Sequence, residues 1–134
     1  MSIKRSLHLV HCPEYANWIF DLDHPTQGRR YDNAYKEIMS FAETSGIEIC
    51  EVPTRPATPE ELERVHSREY VESILSDGLS SEWDGTRPDM AELAKKFAGG
   101  TLVALELLLS GATRTAIHFS GAKHHAQRDW SSGF

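Results

Sequence analysis

Apolar and polar positions along the chain alternate between two periods, and the alternation predicts the elements. Leu7 to Val10 is a short apolar run that Pro13 stops, and it reads as a first strand. From Arg29 to Thr44 the period becomes helical. Tyr31, Ala34, Tyr35, Ile38, Met39, Phe41 and Ala42 share one broad face, and Gly46 stands where a C-terminal cap belongs. Ile47 to Val52 alternates as a second strand, ended by Pro53 and Pro56. Thr58-Pro59-Glu60-Glu61 carries a capping box with proline at the first helical position, which opens a short helix to about His66. Ser67 to Glu69 starts another helix, with Tyr70, Val71, Ile74 and Leu75 as its apolar face, and Asp77-Gly78 breaks it. Asp89 is expected to cap a long helix through Leu109. Thr115, Ala116, Ile117 and Phe119 form the last apolar run, a buried strand.

The segment Glu14–Gln27 shows no clear period and reads as a long loop. Leu79–Pro88 reads as a polar loop with one aromatic, Trp83, which either contacts a partner or folds back over the domain. Gly99-Gly100 falls inside the long helix. A glycine pair there costs about 1–2 kcal/mol in propensity relative to alanine, so close packing against a neighbouring backbone is expected.

The order β-α-β-α-α-loop-α-β implies an α/β fold, a three-layer α-β-α half-domain around about three parallel strands. The length of 134 residues implies a single domain over residues 1–134. The two edges of so small a sheet call for cover or pairing, so a homo-oligomer or a second protein chain is the expected partner. The formal net charge of −6 argues against nucleic acid and against an anionic membrane surface. No apolar run is long enough to span a bilayer, and the N-terminal run is broken by His8 and His11. Cys12 and Cys50 are expected to be buried and reduced, as in a cytoplasmic protein.

Candidate chemistry gathers after the last strand, at Ser120-Gly121-Ala122-Lys123-His124-His125. Ligands of α/β proteins bind outside the carboxyl ends of the strands. Adjacent histidines diverge on a strand or helix, so only a loop would let both face one ion, and a catalytic zinc wants three protein ligands.

Four stretches, in order, resemble the N-terminal half of the histone deacetylase family, including the bacterial acetoin-utilisation type. They are His24-Pro25…Arg30; Arg55-Pro56-Ala57-Thr58…Glu61-Leu62…His66-Ser67…Tyr70; Trp83-Asp84…Ala98-Gly99-Gly100-Thr101; and Ser120-Gly121-Ala122-Lys123-His124-His125-Ala126…Ser132-Gly133-Phe134. The resemblance implies the arginase/deacetylase fold. It implies that His124 and His125 are the acid/base pair beside a zinc-bound water, and not metal ligands. It implies that Asp84 holds the substrate backbone at the rim, that Phe134 walls the acyl-lysine channel, that Gly121 belongs to the loop before the histidines, and that Arg30 lines an internal channel. Ala122 replaces a family glycine. The family's zinc ligands and its carbonyl-polarising tyrosine have no counterpart in this sequence. No metal ligand is therefore assigned and no cofactor is expected in the isolated chain, zinc entering only with ligands from another chain.

Plainer roles stand beside these. The histidines are equally readable as loop residues without a present duty, Asp84 as a turn residue before Gly85, Arg30 as the partner of an acidic neighbour, His66 as a structural hydrogen-bonder, and Phe134 as a frayed terminal residue. The expected function is a catalytically inactive deacetylase-like module acting through self-association or protein binding. The alternatives are a zinc-dependent deacetylase completed by a second chain, or a fragment of a longer one.

Overall fold

The structure, a computed structural model, describes residues 6–132. In strand β1 (Ser6–His11) the neighbours Leu9 and Val10 are both fully buried, although they point to opposite faces. That is the mark of a central strand in a parallel sheet. β1 pairs in parallel with β2 (Glu48–Pro53) on one side, Leu7 opposite Ile49, and with β3 (Ala116–Ile117) on the other, Leu9 opposite Ile117. The sheet order is β2-β1-β3. β3 is shorter than the apolar run that predicts it, because His118 and Phe119 leave the ladder to pack.

Four helices accompany the sheet among the described residues: α1 (Arg29–Ser45), α2 (Pro59–Leu62), α3 (Arg68–Leu75) and α4 (Pro88–Leu109). The connections from β1 to β2 and from β2 to β3 run in opposite directions across β1, and right-handed crossovers then put α1 and α4 on opposite faces. The architecture is that of half an arginase/deacetylase-type α/β domain.

Local signals place most of the ends. Gly46 closes α1 in the left-handed conformation, at φ 66°. Thr58 and Glu61 complete the reciprocal capping box of α2, and Ser67 caps α3 by accepting from the Tyr70 amide at 3.3 Å. The N-cap of α4 is Arg87, not Asp89. The Asp89 carboxylate takes the Arg87 guanidinium instead, at 2.7 Å, so the pair staples the helix start.

Two expectations are corrected. Glu14–Gln27 is not a plain loop: Pro13–Asn17 winds into a 3₁₀ turn, and an isolated bridge joins Ile19 to Gln27. This segment supplies Tyr15 and Trp18, 0% and 2% exposed, which pack with Tyr31, Met90, Leu93 and Phe97 into the main core cluster. Cys50 is exposed because β2 lies at the sheet edge, whereas Cys12 is buried.

The glycine pair does pack closely. A Cβ on Gly99 would lie 1.7 Å from the Arg55 carbonyl oxygen, and one on Gly100 would lie 2.4 Å from His118 Nε2. α4 is thereby pressed against the chain leaving β2 and against the end of β3.

Candidate functional site

The loop after β3 leaves the carboxyl end of the sheet and turns sharply at Gly121, whose φ of +58° suits glycine. Three histidines lie within eight residues of this connection, His118 before the turn and His124 and His125 after it, and the fold treats them differently.

His118 is sunk against α4. Its Nε2 lies 2.9 Å from Tyr15 Oη and 3.0 Å from Ser120 Oγ, and its Nδ1 lies 3.0 Å from Thr101 Oγ1. Tyr15 donates its hydroxyl proton to the Lys96 carbonyl, so it accepts from His118 Nε2–H, and Nδ1 accepts from Thr101. Burial, helped by the charges of His11 and Lys123, pushes the imidazole down to about 4.

His124 and His125 sit on a turn and are exposed, their ring centroids 4.1 Å apart with planes tilted by 44°. Neither makes a hydrogen bond among the described residues. The turn is nonetheless anchored. Ala126 bridges to Ser131, His66 Nδ1–H donates to the Gln127 carbonyl at 2.7 Å, and the Ser67 amide donates to the Arg128 carbonyl at 3.0 Å. His66 thus has the structural role expected of it.

His125 lines a cavity of about 140 Å³ that runs between α3, α4 and the loop before α4, with Trp18, Tyr70, Ile74, Trp83 and Lys123 among its walls. Trp83 folds back over the domain, half-buried, and donates Nε1–H to the Gly78 carbonyl at 2.9 Å. Its neighbour Asp84 is exposed at a turn before Gly85. Arg30 is exposed in the first turn of α1, with no carboxylate paired to it among the described residues, and its guanidinium carbon lies 5.2 Å from the centroid of the Tyr31 ring. The structure therefore brings His125 and Trp83 to one cavity, whereas His124, Asp84 and Arg30 are not among the residues that line it. Phe134 lies outside the described residues.

Lys123 escapes a reading by motif. Its ammonium lies 3.8, 4.9 and 4.9 Å from the ring centroids of Phe97, Trp18 and Tyr31, and it donates to Tyr31 Oη at 2.6 Å. Burial and the nearby Arg30 charge push it down to about 8. The only sequence signal was a lysine inside a small-residue loop. Its aromatic partners come from three separate elements, so no local pattern announced them.

Among the described residues no three His, Cys, Asp or Glu side chains converge to hold a metal ion. His124 and His125 alone fall short of the three protein ligands that a catalytic zinc wants, so no chemical step is assigned here to an ion. No helix among the described residues is long and apolar enough to cross a membrane.

Comparison with known proteins bears on this site. The family model described as the histone deacetylase domain matches residues 24–134. The acetoin utilization protein AcuC of Bacillus subtilis is 28% identical over 138 residues, covering 93% of this chain and 35% of that protein. AcuC of Staphylococcus aureus (strain MRSA252) is 32% identical over 96 residues, covering 62% of this chain and 25% of its own. Histone deacetylase 8 of Xenopus tropicalis is 31% identical over 114 residues, covering 72% of this chain and 30% of its own. The chain spans about a third or less of the length of these relatives.

Proposed function

The chain belongs to the histone deacetylase family, and from that premise we propose that it supplies the proton-handling histidines and substrate-facing loops of an acyl-lysine amide hydrolase. The metal ligands then come from outside these residues. One observation carries the reading: His124 and His125 stand side by side, exposed and without internal hydrogen bonds, at the end of a parallel sheet, with His125 on the cavity wall. An imidazole is suited to taking a proton from water near neutral pH and returning it to a leaving amine. His118, six residues before His124, has both ring nitrogens committed and cannot share that work. The family resemblance gives the exposed Asp84 turn the role of meeting a peptide backbone.

A metal held by ligands outside these residues would supply what the histidines lack, an acidified bound water and a polarised carbonyl. The test recovers the chain with whatever it binds in its host, measures zinc content, and follows hydrolysis of an acetyl-lysine peptide. His124→Ala and His125→Ala should each cost about 10²–10⁴-fold in turnover with zinc content unchanged. Turnover indifferent to both changes would remove the reading.

A second reading is a catalytically inactive module that associates with itself or another protein. It is favoured by the apolar row at the end of α4, where Leu105, Leu108 and Leu109 are 48%, 43% and 78% exposed, and by β3, which among the described residues pairs with β1 alone. It expects an oligomer or a stable complex and no turnover. A monomer by light scattering at high concentration would count against it.

A further inference from the structure

Lys123 carries a charge that the rest of the described chain leaves unanswered. An ammonium has three N–H donors. One reaches Tyr31 Oη at 2.6 Å, and the other two find no oxygen or nitrogen acceptor among the described residues. Among the described residues, the salt bridges do not include Lys123. The ring faces of Phe97, Trp18 and Tyr31 offset only part of the desolvation of the ammonium.

A second cation approaches the same phenol. Arg30 lies against the Tyr31 ring, and its charge opposes that of Lys123. Two like charges converge on one tyrosine, and neither is in a salt bridge among the described residues. Lys123 also lines the cavity that His125 opens onto, whose walls are otherwise mostly apolar. Glu82 is the one acidic side chain on those walls. Its field is felt at Tyr70.

We propose that Lys123, seconded by Arg30, receives a carboxylate at the far end of the acyl group, so that the preferred substrates are lysines acylated by a dicarboxylic acid. This rests on the acyl-lysine reading above. The geometry supplies each part: one cavity lined by His125, by the apolar faces of Trp18 and Ala94 for the acyl carbons, and by Lys123, whose caged ammonium keeps two donors without an acceptor among the described residues. The aromatic cage holds the ammonium in place without neutralising it, which leaves the charge for a ligand. A neutral acetyl group would reach the same cavity and leave both donors as they are.

The experiment is calorimetric titration of the chain with two peptides differing only in the acyl group on one lysine, succinyl or acetyl. The wild type should bind the succinyl peptide about tenfold more tightly or better, as a charge-assisted hydrogen bond supplies. Lys123→Met keeps the length and apolar bulk of the stem and should bring the two affinities within about twofold. Arg30→Gln, at an exposed position, should shrink the preference by a smaller factor, and it guards against a Lys123 variant that fails to fold. Equal binding of the two peptides by the wild type, or a preference that survives Lys123→Met, overturns the carboxylate site while leaving the acyl-lysine reading intact. Failure of both peptides to bind removes the acyl-lysine reading itself, and the substrate assignment with it.

Discussion

His118 and the His124–His125 pair lie within eight residues on one connection, yet the fold gives them opposite conditions. His118 is enclosed by Tyr15, Thr101 and Ser120, and Gly100 leaves it the room to sit against α4. The pair rides a turn that is pinned from below by His66 and Ser67 while its own rings face outward. One imidazole is held neutral as a joint between helix and sheet. The others stand exposed on the turn, one ring beside the other. Residue type set neither role; what surrounds each ring did.

The contrast breaks most sharply at Gly100. A Cβ there would lie 2.4 Å from His118 Nε2 and 2.7 Å from Tyr15 Oη, so Gly100→Ala should cost about 3 kcal/mol or more in urea unfolding, by forcing the joint apart. A loss below about 1 kcal/mol would mean that His118 can move aside and that the joint is not tight.

Replacing His118 itself comes next. His118→Ala leaves the Tyr15 and Thr101 hydroxyls without their partner and should cost about 2–3 kcal/mol. Its pH signature has a definite sign. The folded-state value is depressed to about 4 from the ordinary 6.5, so the unfolded chain takes up a proton first as the pH falls. His118 therefore adds a loss of stability that grows from about pH 6.5 down to about pH 4 and grows no further below it. Thermal melts of wild type and His118→Gln across that range should converge as the pH falls. Parallel curves would show that the ring is not kept neutral by burial.

Lys123 lies between the two regions and sharpens the comparison. Its folded-state value is depressed to about 8 from 10.5, so the charged form burdens the fold at neutral pH, and stability recovers as the pH rises from about 8 to about 10.5. Lys123→Met should raise the melting temperature at pH 7 and gain less at pH 10.5. An equal gain at both would remove burial of charge as the cause.

The smallest effect belongs to the exposed pair. His124→Ala and His125→Ala should change unfolding free energy by no more than about 0.5 kcal/mol each, since neither ring makes an internal hydrogen bond. A cost approaching that of His118→Ala would move the pair from chemistry to structure.

Much of this was legible from local pattern. The strand around Leu9 and Val10, the capped starts at Thr58 and Ser67, the Gly46 stop and the tight Gly99-Gly100 contact each follow from a few neighbouring residues. The family resemblance, also local, put His124 and His125 on a loop. What escaped was non-local. Pro13–Asn17 looked like a loop because a single 3₁₀ turn has too few residues to show a period, although the proline and the three-residue spacing of Tyr15 and Trp18 were its faint signal. Asp89 had the chemistry of a cap but found Arg87 beside it.

By itself the sequence determined the order and type of the elements, because backbone preference and side-chain period act over a few residues. It also determined which imidazoles share a loop. Only the tertiary structure decided which histidine is locked and which are open, that Cys50 faces solvent, and that Lys123 meets three rings and a phenol from distant parts of the chain. Burial and the partners of a charge depend on what the fold carries to a point from far along the sequence, and desolvation and pairing, more than residue identity, govern what a titratable group can do.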